Sequence, residues 1–125
     1  ALYNHGGWSG KPANLVAVCK GLRALGHKHV GIVYNWHHGH DRIDHWKNDL
    51  ALMKTYLFCL NLNGMKANAN PKILPLGKGE FEKPMLKLMR ESGYEGPIGI
   101  LDHRNEVDSK LALNANLEGL IKIMK

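Results

Sequence analysis

The chain contains little cysteine and lacks any long uninterrupted apolar run. Only Cys19 and Cys59 among 125 residues are cysteines, and their wide separation favours two buried, reduced thiols over a disulfide framework. No stretch of 18 apolar residues is present to cross a membrane. The first residues, ALYNHGG, have neither the basic start nor the apolar core of a signal peptide. These absences predict a soluble, cytoplasmic protein without a membrane partner.

Negative charge is also scarce. Seventeen Lys and Arg residues face 11 Asp and Glu residues, which gives a formal net charge of +6 at pH 7. The basic residues are spread from Lys11 to Lys125, however, and no aromatic residues alternate with them in a stripe. The charge pattern therefore does not indicate a nucleic-acid partner.

Four short, nearly continuous apolar segments are typical of strands that are covered on both faces of a parallel sheet. They are residues 1–4, 30–35, 56–63 and 97–101. Between and after them, apolar residues recur at the spacing of amphipathic helices, as in Leu15, Val18, Cys19, Leu22 and Leu25; Ile43, Trp46, Leu50 and Met53; Phe81, Met85, Leu88 and Met89; and Leu113, Leu117, Leu120 and Met124. The order βαβαβαβα predicts an α/β fold of four βα units with parallel strands.

Polar residues follow each apolar segment at the point where it ends. The segments are LYNH (2–5), VYNWHH (33–38), LNLNG (60–64) and ILDHR (100–104). In parallel α/β folds the carboxyl ends of the strands form the ligand-binding face, so these residues are expected to gather on one rim. His27 and His29 instead precede a strand and are expected to be solvated at the opposite end.

The histidines of this rim allow three interpretations. A metal ion would need at least three ligands, for which His5, His38 and His103 are the candidates. A hydrogen-bonding site for a polyhydroxylated ligand is the second, and plain packing and solvation is the third. Since neighbouring side chains of an extended chain point to opposite sides, only one of His37 and His38 is expected to face the site.

Two further segments carry charged groups. The turn around Gly77, Lys78 and Gly79 could cradle an anion with its backbone amides, or the glycines simply make the turn before a helix that Glu80 and Glu82 favour. In the second segment, Asp102 could orient His103 or act as a base. A loop salt bridge with Arg104 is the alternative for that carboxylate.

The phrases YNHGGW, GIVYNWHHGH, LNLNGM, ILPLGKGE and GYEGPIGILDHR resemble the C-terminal half of xylose-isomerase-like TIM barrels, the sugar phosphate isomerase/epimerase family. The resemblance covers essentially the whole chain. It implies that the four strands are barrel strands five to eight, so that residues 1–125 form a single half-barrel domain, a fragment of or truncation from a full barrel. It also implies a sugar or sugar phosphate as the partner, and proton transfer next to a carbonyl as the reaction.

The resemblance further implies a divalent metal as a possible cofactor, held by Glu, Asp, His and Glu at the four strand ends. The corresponding positions here hold Tyr3 or Asn4, Asn35, Asn61, and Leu101 with Asp102 beside it, and none of them matches. His38 matches the sugar-contacting histidine of the family. The implied site has His38, Asp102 and His103 as catalytic residues, and Asn4, His5, Trp8, Asn35, Trp36, Asn61, Asn63, Lys78 and Arg104 as substrate-binding residues. Trp8 or Trp36 would stack on a sugar ring.

Half of an eight-stranded barrel would leave two sheet edges unpaired and its inward apolar side chains uncovered. Two copies could pair into a full barrel, the sheet could open or swap elements with a neighbour, or the chain could be a fragment of a longer gene. We expect a homo-oligomer that covers the edges. Two rival interpretations stay open: a non-catalytic carbohydrate-binding half-barrel, and a flavodoxin-like open sheet with an anion at GKGE, which predicts a monomer.

Overall fold

A computed structural model describes all 125 residues and contains one sheet of four parallel strands in the order β1-β2-β3-β4. The strands are β1 (Leu2–Tyr3), β2 (Ile32–Asn35), β3 (Leu57–Leu62) and β4 (Ile98–Ile100). The helices are α1 (Pro12–Ala24), α2 (Trp46–Met53), α3 (Glu82–Glu91) and α4 (Ser109–Met124). The predicted α/β fold of four parallel βα units is confirmed, with each strand inside its predicted segment. These units match half of an eight-stranded barrel in number and strand direction.

The helix boundaries follow the local chemistry of the sequence. Pro12 is the first residue of α1, where its missing N–H costs no hydrogen bond. Asp108 caps α4, since its Oδ1 accepts hydrogen bonds from the amides of Lys110 (3.0 Å) and Leu111 (3.2 Å). Gly26 and Gly93 follow α1 and α3 with φ of 94° and 69°, a conformation that favours glycine.

The core lies between one face of the sheet and helices α1, α2 and α3. Ile32, Tyr34, Leu60 and Leu62 contribute the strand side chains, and all are almost fully buried. The helices contribute Leu15, Val16, Cys19, Trp46, Leu50, Met53, Met85, Leu86 and Met89. Packing within this single apolar layer fixes the position and direction of the strands relative to the helices.

Helix α4 packs through a face other than the predicted one. Leu113, Leu117 and Met124 are exposed, whereas Ala112 and Asn116 are buried. Gly119 lies so close to the carbonyl of Leu76 that a Cβ there would overlap it, and Asn116 Oδ1 accepts a hydrogen bond of 2.9 Å from the Leu76 amide. A close backbone approach and one buried hydrogen bond, rather than the leucine row, therefore decide how α4 is oriented.

The other face of the sheet has no covering layer, so the expectation of strands covered on both faces is wrong. Tyr3 is 40% exposed, and both its partner in register, Val33, and the next partner along the row, Cys59, are half-buried. Phe58 lies over Gly31 and is 42% exposed. None of the helices combines the length and apolarity needed to cross a bilayer.

Candidate functional site at the strand ends

The chain leaves the extended conformation immediately after β2. Residues Trp36–His38 form a 3₁₀ turn, and His40 Nδ1 lies 2.9 Å from the carbonyl oxygen of His37 at the next turn. Because the backbone is helical here, adjacent side chains do not alternate across a sheet. His37 and His38 consequently both join the site, which corrects the expectation that only one of them could.

Four histidines form a continuous series of ring contacts, which we name the imidazole row: His5, His38, His37 and His103. Successive ring centroids are 4.5, 4.4 and 5.2 Å apart. The Tyr3 ring extends the series at one end, 5.2 Å from His5. His5 and His103 are exposed, while the two central rings are half-buried. The row therefore brings together residues from the ends of β1, β2 and β4, as the sequence predicts.

The central rings are held uncharged. Burial, followed by the nearby Lys72 charge and the other imidazoles, lowers the pKa of His37 to about 4. Burial and then the neighbouring His5 lower the pKa of His38. At neutral pH His37 is therefore a neutral imidazole, with one nitrogen that donates and one that accepts. Lys72, which the sequence did not single out, supplies positive charge beside the row.

Beside the row lies a second series, the amide ladder, formed by Asn4, Asn35 and Asn61. Asn61 Nδ2 donates to Asn35 Oδ1 (2.6 Å), and Asn35 Nδ2 donates to Asn4 Oδ1 (3.5 Å). Asn4 also closes two bonds with the Asn35 backbone, at 2.6 and 3.0 Å. Gly99 makes room for the ladder, because a Cβ there would collide with Asn61 Oδ1. The ladder joins the ends of three neighbouring strands.

Three asparagines and one tryptophan predicted to bind substrate are buried instead. Asn4, Asn35 and Asn63 are fully buried, and Asn63 Nδ2 donates to the Gly64 carbonyl (3.0 Å). Trp36 is also fully buried, with its ring edge-on to Trp46 at 5.7 Å, because the 3₁₀ turn directs it into the core. These four residues cannot contact a ligand here, whereas Asn61 is half-exposed and Trp8 is 65% exposed.

The amide ladder bears on the metal that the resemblance implies. The three asparagines stand at positions that would hold metal ligands, but the side-chain oxygens of Asn4 and Asn35 accept hydrogen bonds from amides of the ladder. Cys59 Sγ donates to the third oxygen, Asn61 Oδ1, at 3.4 Å. No three His, Cys, Asp or Glu side chains, including His5, His38 and His103, are arranged to hold an ion. The residues present do not fit the implied metal.

Asp102 is committed to a salt bridge rather than to His103. Its carboxylate accepts bonds from Arg104 Nη2 (2.6 Å) and Nε (3.0 Å), and from Asn116 Nδ2 (2.7 Å). The hydrogen bonds from Arg104 lower the pKa of Asp102, which makes it a weaker base. The salt-bridge alternative is therefore the one observed, and no hydrogen bond joins Asp102 to His103. The same pair occupies Nε and Nη2 of the Arg104 guanidinium.

The Gly77–Lys78–Gly79 turn does not cradle an anion. The buried Glu82 carboxylate accepts hydrogen bonds from the amides of Gly79 (2.7 Å) and Phe81 (3.0 Å), and the Glu80 amide donates to the Met65 carbonyl (2.8 Å). With these amides satisfied inside the protein, the turn serves the start of α3, as the alternative interpretation predicts. Lys78 is exposed on the turn and makes no ion pair.

Clefts do not coincide with the imidazole row. One cleft of about 520 Å³ lies between α3 and α4 and is lined by Lys83, Lys87, Arg90 and Ile123 among others. A second, of about 390 Å³, lies between the Asp102–Arg104 pair and α4. Cleft size alone would select the helical surface, away from the strand ends. We therefore identify the site by its convergent polar groups.

Comparison with known proteins shows the fold alone. No protein-family model and no curated protein matches the chain. Among solved structures, apo 3-keto-D-glucoside 4-epimerase, YcjR, from E. coli is similar, with a TM-score of 0.61 and 16% identity over 89% of this chain. The crystal structure of AsfvAP:AG is similar with a TM-score of 0.58 and 15% identity over 92% of this chain. The chain spans 40% and 48% of the lengths of those two proteins. It therefore has an α/β fold of four parallel βα units that is shared with part of a sugar-processing enzyme.

Proposed function

We propose that the protein binds a sugar at the imidazole row and acts as a sugar isomerase/epimerase-like enzyme, moving a proton on the carbon next to a carbonyl. The observation that best supports this proposal is the imidazole row, in which four imidazoles contact one another at the carboxyl ends of parallel strands and His37 is neutral at pH 7. Neutral imidazoles both donate and accept hydrogen bonds, which suits sugar hydroxyl groups. The exposed Trp8 indole offers an apolar face for a sugar ring.

His38 is the proposed proton acceptor. It is central in the row, half-buried, and in ring contact with both His5 and His37, and it can return a proton taken from the sugar carbon to that carbon or to the former carbonyl carbon. The Lys72 charge, close enough to lower the pKa values of His37 and His38, favours negative charge on the carbonyl oxygen as the proton leaves. His103 extends the binding surface. No metal-dependent step is part of this mechanism.

The proposed substrate is an unphosphorylated sugar. Two groups that could hold a phosphate are already used, since Arg104 is paired with Asp102 and the Gly79 amide of the glycine turn is bonded to Glu82. The likeness to a 3-keto-D-glucoside 4-epimerase supports a sugar substrate at the level of fold analogy only.

A deuterium-exchange experiment tests the proposal. The protein is incubated in D₂O with aldoses, ketoses and keto-glucosides, and NMR follows loss of the proton next to the carbonyl. We expect exchange that His38→Asn lowers at least about a hundredfold, since general base catalysis contributes on that scale. His29→Asn, at the amino end of β2, is the matched control and should leave exchange unchanged. Equal exchange in both variants would contradict the role of His38.

A non-catalytic carbohydrate-binding protein is the second candidate. It is favoured by the commitment of Asp102 to Arg104, which leaves this strand-end carboxylate unavailable for proton transfer. Saturable binding of a sugar, measured by saturation-transfer NMR and weakened in His38→Asn without any exchange, would support it over the enzyme. Absence of both exchange and binding across the panel would rule out both candidates.

A further inference from the structure

Two of the three ion pairs in the protein lie beside the imidazole row, and both are short and mostly buried. Asp102 and Arg104, on either side of His103 in the chain, are 2.6 Å apart. Arg42 and Asp49 are 2.7 Å apart, and the Asp49 side chain is only 6% exposed. The third pair lies within α3, between exposed side chains 3.7 Å apart. Buried ionic contacts are therefore concentrated at the segments that carry histidines of the row.

The two central histidines of the row lie on a segment of short 3₁₀ turns, residues 36–45, which we name the histidine loop. The Gly39 amide donates to the Trp36 carbonyl (2.8 Å), and the Arg42 amide donates to the Gly39 carbonyl (3.0 Å). Hydrogen bonds in 3₁₀ turns have poorer geometry than those of an α-helix. The position of the histidine loop therefore depends on its contacts with the core.

Two contacts hold the first part of the histidine loop against the core. Trp36 is fully buried, with its ring against Trp46. Gly39 lies against the buried Tyr34, because a Cβ on this glycine would be only 2.7 Å from the Tyr34 hydroxyl oxygen. Residues 40–45 contribute no fully buried side chain, so the second part of the loop needs a different attachment.

Arg42 supplies that attachment. Its Nε donates to Asp49 Oδ2 and its Nη2 donates to Asp49 Oδ1, each at 2.7 Å. Two parallel hydrogen bonds between a guanidinium and a carboxylate fix the direction of both groups as well as their distance. Asp49 is itself buried on α2, a helix whose Leu50 and Met53 belong to the core. The pair therefore ties the end of the histidine loop to a fixed point of the fold.

We propose that Arg42 and Asp49 are positioning residues, which hold the histidine loop so that its two histidines keep their ring contacts with the histidines at the ends of β1 and β4. A purely stabilising role explains the pair less well, because the loss of hydration on burial offsets much of the attraction between two charges. The pair instead selects one position of the loop. The proposal rests on the proposed function only in its consequence for the reaction.

NMR spectroscopy of a double variant, Arg42→Met with Asp49→Leu, tests the proposal. Replacing both charges by apolar groups leaves no unpaired charge in the interior, so the fold should be retained. We expect the nuclear Overhauser contacts between the rings of His37 and His103 to be lost. The pKa of His37 should rise from about 4 by about one unit or more, because its ring becomes hydrated. The other groups whose charges act on His37 are unchanged in the variant, namely Lys72, His38, His40 and His103.

The matched control is Lys87→Met with Glu91→Leu, which removes the exposed ion pair of α3 and should leave both NMR readings unchanged. A folded Arg42→Met, Asp49→Leu variant with unchanged readings, or equal changes in the control, would overturn the proposal. If the double variant does not fold, Arg42→Lys decides, because lysine keeps the charge but cannot form the paired hydrogen bonds. The same changes, smaller in size, are expected in Arg42→Lys, and their absence would contradict the positioning role.

Deuterium exchange in the same variants separates this proposal from the proposed function. With a sugar that the unmodified chain exchanges, the rate at saturation should fall about tenfold or more in Arg42→Met with Asp49→Leu, since a misplacement of about 1 Å can slow a reaction by that much. The α3 control should keep the full rate. If the unmodified chain neither exchanges nor binds any sugar while His37 responds as expected, the proposed function fails and the positioning role stands. If the unmodified chain exchanges a sugar and the double variant keeps both the rate and the His37 readings, the positioning role fails and the proposed function stands.

Discussion

The amide ladder and the imidazole row lie at the same end of the sheet but use their polar groups differently. Asn4 and Asn35 in the ladder are fully buried and form their hydrogen bonds with each other and with Asn61. The rings of the row touch one another without a hydrogen bond between rings, and the outer two are exposed. The difference indicates that the ladder stabilises the fold and that the row is available to a ligand.

The largest expected effect comes from breaking the ladder at its centre. Asn35→Leu removes an acceptor for Asn61 and places an apolar group against Asn4, so we expect the free energy of unfolding to fall by about 2–4 kcal/mol. Urea denaturation measures the change. Asn114→Leu, at an exposed position of α4, is the control and should stay within about 0.5 kcal/mol. Equal stability of the two variants would mean that the ladder does not hold the strands.

At the end of β4, the charged pair of Asp102 and Arg104 stands where the other strand ends have asparagines. The variant Asp102→Asn tests how much this pair contributes to stability. Losing the paired carboxylate should cost about 1–2 kcal/mol at pH 7, less than the ladder variant, because the pair is partly exposed. Since Arg104 lowers the pKa of Asp102 below 3.8, the carboxylate stabilises the fold above that pH and less as pH falls through its folded value. Denaturation between pH 2 and 7 should show this acid-dependent loss in the unmodified chain and a smaller one in Asp102→Asn. A larger loss than in Asn35→Leu would reverse the ranking.

Acid should affect the row before it affects the ladder, whose amides do not titrate. The pKa of His37 is about 4 in the folded chain and about 6.5 when unperturbed, so the unfolded chain binds its proton first. Stability from His37 is present above pH 6.5 and is lost as pH falls towards 4. Urea denaturation across this range should show a decline that His37→Gln reduces and His29→Gln does not. A decline unchanged in His37→Gln would assign it to another group. Solvent screening keeps the effect smaller than those above.

The smallest effect on stability is expected for His38→Asn. Its ring is half-buried, makes ring contacts only and has no hydrogen bond within the protein, so the free energy of unfolding should change by no more than about 0.5 kcal/mol. Thermal or urea denaturation beside the ligand measurements checks this. A loss comparable to that of Asn35→Leu would show that the row, too, is structural.

The sequence predicts the strands and helices well because their apolar residues repeat with clear periods. Leu60 and Leu62 fall in a continuous apolar run, and Pro12 and Asp108 fix helix starts through local chemistry. It also predicts that polar groups gather at the strand ends. It does not predict which of them are buried, because this depends on non-local contacts: Asn35 faces Asn4 across 31 residues.

The same limit explains the wrong predictions. Trp36 directly follows β2, and the sequence predicts that it is exposed there to stack on a ligand. The 3₁₀ turn instead directs its ring onto Trp46. Asp102 finds its second partner residue, Asn116, on a helix 14 residues away. The face of α4 is set by Gly119 against Leu76, a backbone contact that no hydrophobic period signals.

The two bonds between side chains of the ladder run one way, with the donor on the later strand and the acceptor on the earlier one, from Asn61 to Asn35 to Asn4. The Asn35 side chain both donates and accepts a hydrogen bond, whereas a carboxylate at this position could only accept. Deamidation of Asn35 during ageing or storage would set two acceptors against each other inside the protein. Deamidation of this single side chain should therefore destabilise the packing of three strands together.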